Sequence, residues 1–139
     1  MTRVKEMVAA GIPVALGHDC VMDPWYGLGS HDMLEVAHMA AHVGHMTGVE
    51  EMRALFAGVT TTAAAALHLD GYGLEPGCHA DLVVLQARDP VEAIRLRATR
   101  LHVLRRGAVI ARSAPEAVSL ELGDTRRTVD FLPARPADG

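Results

Sequence analysis

The feature that most constrains this chain is the apolar run IPVALG at residues 12–17, set off by Gly11 and followed at once by His18 and Asp19. Val4, Met7 and Val8 fall on one face of a short helix that Gly11 closes. Helix, brief turn and buried strand make an α/β rhythm. Pro13 stands near the start of the expected strand, 13–17, where a missing N–H costs least. Strand side chains alternate, so Val14, Leu16 and His18 share one face while Ala15, Gly17 and Asp19 share the other. A carboxylate at the C-terminal end of an α/β strand lies where such folds place their chemistry. Ionised there it needs a partner, which a metal or a bound substrate could supply. The competing reading is a helix cap or a surface-loop Asp. His18, on the opposite face, reads as a hydrogen-bonded packing residue and not as a ligand.

A long loop follows, from His18 to about His31, and long loops inside compact domains are usually functional. Asp23-Pro24 turns the chain sharply into Trp25, the only tryptophan, and Tyr26. An aromatic on such a loop can stack on a flat ring or close over a pocket, or simply pack the loop.

The spacing predicts a helix over 33–46, with Asp32 and Glu35 forming a capping box. A second helix is expected over 49–57, with Met52, Leu55 and Phe56 as its apolar face and Gly58 as its stop. Thr60 can cap a third, alanine-rich one. After a boundary near 70–76 the character becomes mostly β. Strands are expected near 81–86, 101–106 and 108–112, the last two joined tightly at Arg106-Gly107. Between them Asp89 caps a short helix with Pro90 at its first position. The tail adds short strands near 117–121 and 127–131 and is loose from Leu132 on.

The chain has 139 residues, 50% of them hydrophobic and 22% charged, which describes a globular domain. A formal charge of −4 argues against nucleic acid or an anionic membrane as partner. No apolar run reaches membrane-spanning length, and the N-terminus reads as a helix, not a signal peptide. Two cysteines, Cys20 and Cys78, do not suggest a stapled secreted scaffold, so a cytoplasmic protein is the default.

His31, His38, His42 and His45 line one face of the expected helix with Glu35. Histidines four apart can bind zinc, but the H-E-x-x-H pattern is absent. A polar, partly buried helix face is the preferred reading and a metal site the lesser one. His68, His79 and His102 are scattered, and no phosphate loop, G-x-S-x-G elbow or C-x-x-C pair occurs.

Taken together, GIPVALGHDCVMDPWYGLGSHDMLEVAHMAAHV resembles the last barrel strand and following loop of bacterial cytosine deaminases in the amidohydrolase superfamily. GYGLEPGCHADLVVLQARDP followed by VLRRGAVIA resembles that superfamily's C-terminal β segment, so the likeness covers roughly residues 5 to 112. It implies part of a (β/α)8 barrel in residues 1–70, and a β-rich subdomain and tail, part of a small β-sandwich, in residues 71–139. It also implies a divalent metal, Fe2+ or Zn2+, whose activated water attacks a ring C–N carbon so that ammonia leaves. Asp19 takes the position of the metal ligand and proton shuttle, and Trp25 that of an aromatic near the substrate pocket. A metal lowers the pKa of its water and a carboxylate can take the proton, which suits Asp19.

Two departures qualify the likeness. Such a barrel needs about 250 residues, and the H-x-H ligand pair and most other ligands are not in this sequence. The chain therefore reads as a C-terminal fragment, inactive by itself. Close cytosine deaminases usually carry a second Asp where this chain has Cys20, which puts the substrate in question and makes Cys20 a substrate-binding candidate. The implied partner is a small-molecule pyrimidine or related ring, with no nucleic acid and no membrane; a homo-oligomer stays open for the full-length enzyme. Other expectations are another ring or amide hydrolase of the superfamily, such as an isocytosine- or triazine-type deaminase, or a non-catalytic fragment.

Overall fold

The computed structural model describes residues 2–129. Their order is α1 (Val4–Ala9), α2 (Met33–Val43), α3 (Val49–Gly58), α4 (Thr61–Ala66), β1 (Leu82–Leu85), α5 (Pro90–Leu96), β2 (Arg100–Arg105), β3 (Ala108–Arg112), β4 (Val118–Leu122) and β5 (Thr125–Val129). Helices and strands are thus mixed, helices first. β1, β2 and β3 form one antiparallel sheet in that spatial order, and β4 pairs with β5 in a separate hairpin. The expected 127–131 strand is described only to Val129, and the loose tail from Leu132 lies outside the described residues.

The core is helix on helix. Leu34, Ala37 and Ala41 recur along one face of α2 and meet Leu55 of α3, Ala93 and Ile94 of α5, and Met46 and Ala98 just beyond two helix ends. Ala37 is fully shielded, and Leu55 and Ile94 are each 1% exposed. Met52 and Phe56 pack against this cluster as the sequence pattern requires.

The helix ends differ from expectation for one physical reason. α2 was expected to run to residue 46 but stops at Val43. His45 enters the left-handed region, φ 51°, and its N–H bonds the His42 carbonyl while the Met46 N–H bonds that of Ala41. This pair of bonds is the Schellman stop, which folds the next apolar residue back onto the helix; Met46 is accordingly buried. The same two bonds end α5 at Arg97, φ 49°, and α4 at His68, φ 52°. Asp89 caps α5 as expected, accepting from the Glu92 N–H at 2.9 Å. Thr60 does not cap α4: its hydroxyl donates back to the Phe56 carbonyl at 2.7 Å. The capping box of α2 is half realised. Asp32 accepts from the Leu34 and Glu35 N–H groups, but the Glu35 carboxylate takes the Ser30 hydroxyl at 2.6 Å instead of reaching back.

Residues 13–17 are not a strand, which corrects the sequence expectation. The segment has the strand's alternation, with Val14, Leu16 and His18 half-buried and Pro13, Ala15, Gly17 and Asp19 exposed. It lacks a ladder, because among the described residues no strand lies beside it; its Leu16 N–H bonds the Gly58 carbonyl of α3 at 2.9 Å. Gly58, expected as the stop of the second helix, is instead the last residue of α3, whose cap is Val59. A Cβ there would sit 3.0 Å from the Val14 carbonyl oxygen and 3.2 Å from Leu16, so the glycine admits the segment against α3.

Four carboxylates hold the fold while ionised. Arg100 beside Asp32, Lys5 beside Glu51 and Arg88 beside Glu92 hold those carboxyls below their ordinary range, and the Arg106 backbone N–H does the same for Asp81. A lowered folded-state pKa contributes stability above the ordinary carboxylate range that is lost as pH falls through the folded value. The urea midpoint should therefore stay level from pH 7 to about pH 5 and fall below about pH 4. A midpoint unchanged at pH 3 would remove these pairs from the stability of the fold. In the core, Leu55→Ala should cost about 2–5 kcal/mol, read from the same titration at pH 7; a loss below 1 kcal/mol would show that the α2–α3–α5 contact is not the core.

Candidate functional site

The segment from His18 to His31 carries the residues singled out in the sequence. It turns abruptly where the extended run ends. Asp19 takes φ 65° and its side chain is exposed, so the carboxylate points away from the face that buries Leu16. Asp is among the residues that tolerate this region best.

The loop beyond is closed by its own bonds. The Asp23 carboxylate accepts from the Trp25 and Tyr26 N–H groups, each at 2.9 Å, which is an Asx turn made rigid by Pro24. The Met22 N–H donates to the Leu28 carbonyl at 3.2 Å and the Asp23 N–H to that of Tyr26 at 3.1 Å. The half-buried Cys20 thiol hydrogen-bonds Asp23, and that carboxylate, with desolvation and the charge of Asp19, pushes the thiol pKa up. The same bond, with the two backbone donors, pulls the Asp23 pKa down. Trp25 stands at the tip, 86% exposed.

His18 packs at the base of the loop. Gly29 has φ 98°, and a Cβ there would lie 2.8 Å from the His18 ring and 3.3 Å from Val21, so both ends of the loop meet at this glycine. The hydrogen bond expected of His18 is not found at Nε2, which is buried without a partner among the described residues.

The histidine stripe is shorter than expected. His31 precedes α2 with φ 57° and His45 follows it, which leaves His38 and His42 on the helix. Their rings lie 4.5 Å apart, edge to face, and His38 Nδ1 meets the Ile94 carbonyl at 3.0 Å. His38 thus helps join α2 to α5. Among the described residues no group of three or more His, Cys, Asp or Glu side chains could hold a metal. The described donors therefore do not make a complete metal centre.

One residue escaped the sequence reading. Arg100, the first residue of β2, grips Asp32 with both guanidinium nitrogens, Nη1 at 2.8 Å from Oδ2 and Nη2 on Oδ1. The pair is half-buried, and Arg100 also lines a largely apolar cavity of about 530 Å3 with, among others, Phe56, Tyr72, Leu82 and Leu85. Only Asp32 gave a local signal, as a helix cap.

No described helix is long and apolar enough to cross a membrane. A model of the amidohydrolase family matches residues 1–113. A pterin deaminase of Rhizobium rhizogenes (strain K84 / ATCC BAA-868) is 34% identical over 87% of this chain and 28% of its own length. Among solved structures, 5-methylcytosine deaminase from Klebsiella pneumoniae, liganded with 5-fluorocytosine, superposes with a TM-score of 0.80 at 38% identity, over 85% of this chain and 29% of that one. N-isopropylammelide isopropylaminohydrolase from Burkholderia multivorans gives 0.75 at 36% identity, over 79% and 28%. The chain spans under a third of the length of these relatives. With the family's model matching most of its length, the chain belongs to the amidohydrolase family.

Proposed function

We propose that this chain supplies the segment around Asp19 to a hydrolase that deaminates a pyrimidine-type ring, cytosine to uracil in kind. One observation carries the reading: the G-H-D-x-x-x-D-P-W-Y-x-L-G run at 17–29 ends an extended, one-side-buried segment in an exposed carboxylate. Kinship to a pterin deaminase and to 5-methylcytosine deaminase supports ring deamination and leaves the ring itself to be chosen. In this reading residues 1–70 are the last βα part of a (β/α)8 barrel, and residues 71–139 are the β-rich subdomain, part of a small β-sandwich, of a cytoplasmic enzyme. A divalent ion, iron or zinc, would activate the water, with Asp19 the ligand this chain contributes. Asp19 would also take and return the proton at its carboxylate oxygens, while Trp25 covers the ring.

A catalytic zinc site takes about three protein ligands, so the 139-residue chain alone should release no ammonia from cytosine. In a complete enzyme carrying this segment, Asp19→Asn should lower kcat about 10²–10⁴-fold, the range of a positioned proton-transfer group. A rate within twofold of the parent would take Asp19 out of the mechanism.

Cys20 bears on substrate choice. Where an Asp would accept a bond from a ring N–H or amine, a thiol is a weak donor and a weak acceptor, and this one already lies beside Asp23. The pocket should then be less demanding at that edge and accept a substituted pyrimidine; the relative named for 5-methylcytosine fits this. Cys20→Asp should shift kcat/KM towards cytosine over a 5-substituted analogue by about tenfold, the size of one lost buried polar contact. An unchanged ratio would mean that Cys20 does not face the substrate.

A further inference from the structure

The loop from His18 to His31 has two ends, and they touch. At the far end Asp32 is held by its own helix and by both nitrogens of Arg100. Two residues back, the Ser30 hydroxyl is tied to Glu35 of α2 at 2.6 Å. One further residue back, Gly29 lies against His18 and Val21, which flank Asp19 and Cys20 at the near end. Whatever fixes Asp32 therefore fixes, within a few residues and one close contact, the backbone that presents Asp19. Arg100 reaches this end from the β1–β2–β3 sheet, 68 residues away in sequence.

We propose that Arg100 is a positioning residue: by its two-pronged grip on Asp32 it sets the 18–31 loop, and with it Asp19, relative to the sheet. That Asp19 belongs to a reacting centre rests on the function proposed above; the hold of Arg100 on the loop does not.

The geometry favours a fork over a point charge. Arginine's planar guanidinium meets both carboxylate oxygens at once, which fixes direction as well as distance, whereas a lysine would leave the carboxylate free to swivel. Asp32 meanwhile keeps its capping bonds, so helix and sheet share one carboxylate.

The test is amide hydrogen exchange in the 139-residue protein at pH 7, following the bonded N–H groups of Met22, Asp23, Trp25 and Tyr26 beside those of Ala37 and Ala41 in α2. Arg100→Gln should speed exchange of the loop amides about five- to tenfold, the scale of one half-buried, two-pronged ion pair, with the α2 amides changed less than twofold. Arg100→Lys should fall between. Lys5→Gln, which breaks the Lys5–Glu51 pair away from the loop, should leave loop exchange as it was. Should Arg100→Gln fail to fold, Asp32→Asn decides, because asparagine caps a helix as well as aspartate while giving up the charge; loop exchange should rise with α2 intact. Equal acceleration in α2 and loop would reduce Arg100 to a helix anchor, and unaltered loop exchange would deny it any hold on the loop. Either result overturns the proposal. Failure of the functional reading shows elsewhere, as undiminished turnover in Asp19→Asn, with the exchange result intact. In a complete enzyme Arg100→Gln should lower kcat several-fold at nearly constant KM, and Arg100→Lys should recover part of it.

Discussion

The structure depends on how closely α2 can approach α3 and α5. Methyl groups make that approach possible: Ala37 and Ala41 on one side, Ala93 and Ala98 on the other, with Leu55, Ile94 and Met46 filling the remaining space. Small residues bury little apolar area each but bring backbones near, so polar links can form across the gap. His38 reaches the Ile94 carbonyl for this reason. The chain leaves α5 through Arg97 and Ala98, and two residues later Arg100 arrives opposite Asp32. The ion pair is thus a consequence of the alanine contact, and the position of the 18–31 loop is a consequence of the ion pair.

Helix existence could be read from period and capping residues, whereas helix ends could not. Glycine is the signal for a left-handed stop, and α2, α4 and α5 use His45, His68 and Arg97 instead. The penalty for a non-glycine residue there, about 1–2 kcal/mol, is offset by two recovered carbonyl bonds and by the burial of the residue after it at α2 and α5. This also explains part of the chain's wealth of histidine. His45 and His68 terminate helices, and with His31 ahead of α2 and His45 beyond it, a stripe that looked like four ring donors is two. The β2–β3 turn was correctly anticipated because Arg106-Gly107 obeys a local rule, both residues taking positive φ.

The 13–17 run shows the opposite division. Its alternation was right, residue by residue, because alternation is a property of one extended chain. Its ladder was wrong, because a ladder is a property of two chains and no local pattern specifies the second. Asp32 and Arg100 are a harder case. Each has a sufficient local reason to be where it is, a cap and a strand start, so neither points to the other. Only the packing of α2 on α5 makes them partners.

Asp19 admits a conformational explanation that must be weighed against the chemical one. The chain turns through φ 65° at this residue, and aspartate tolerates that region, so a turn residue was needed whatever its charge. Asparagine tolerates it as well, and more cheaply in a segment that already holds the Asp23 carboxylate and a thiol whose pKa the Asp19 charge itself helps to raise. Cys20 and Asp23 satisfy each other, and Arg100 is committed to Asp32. Conformation therefore accounts for a short polar side chain at this point but not for a second negative charge beside Asp23. A cation or a transferable proton would account for it, and those are what the proposed chemistry brings to the end of this segment.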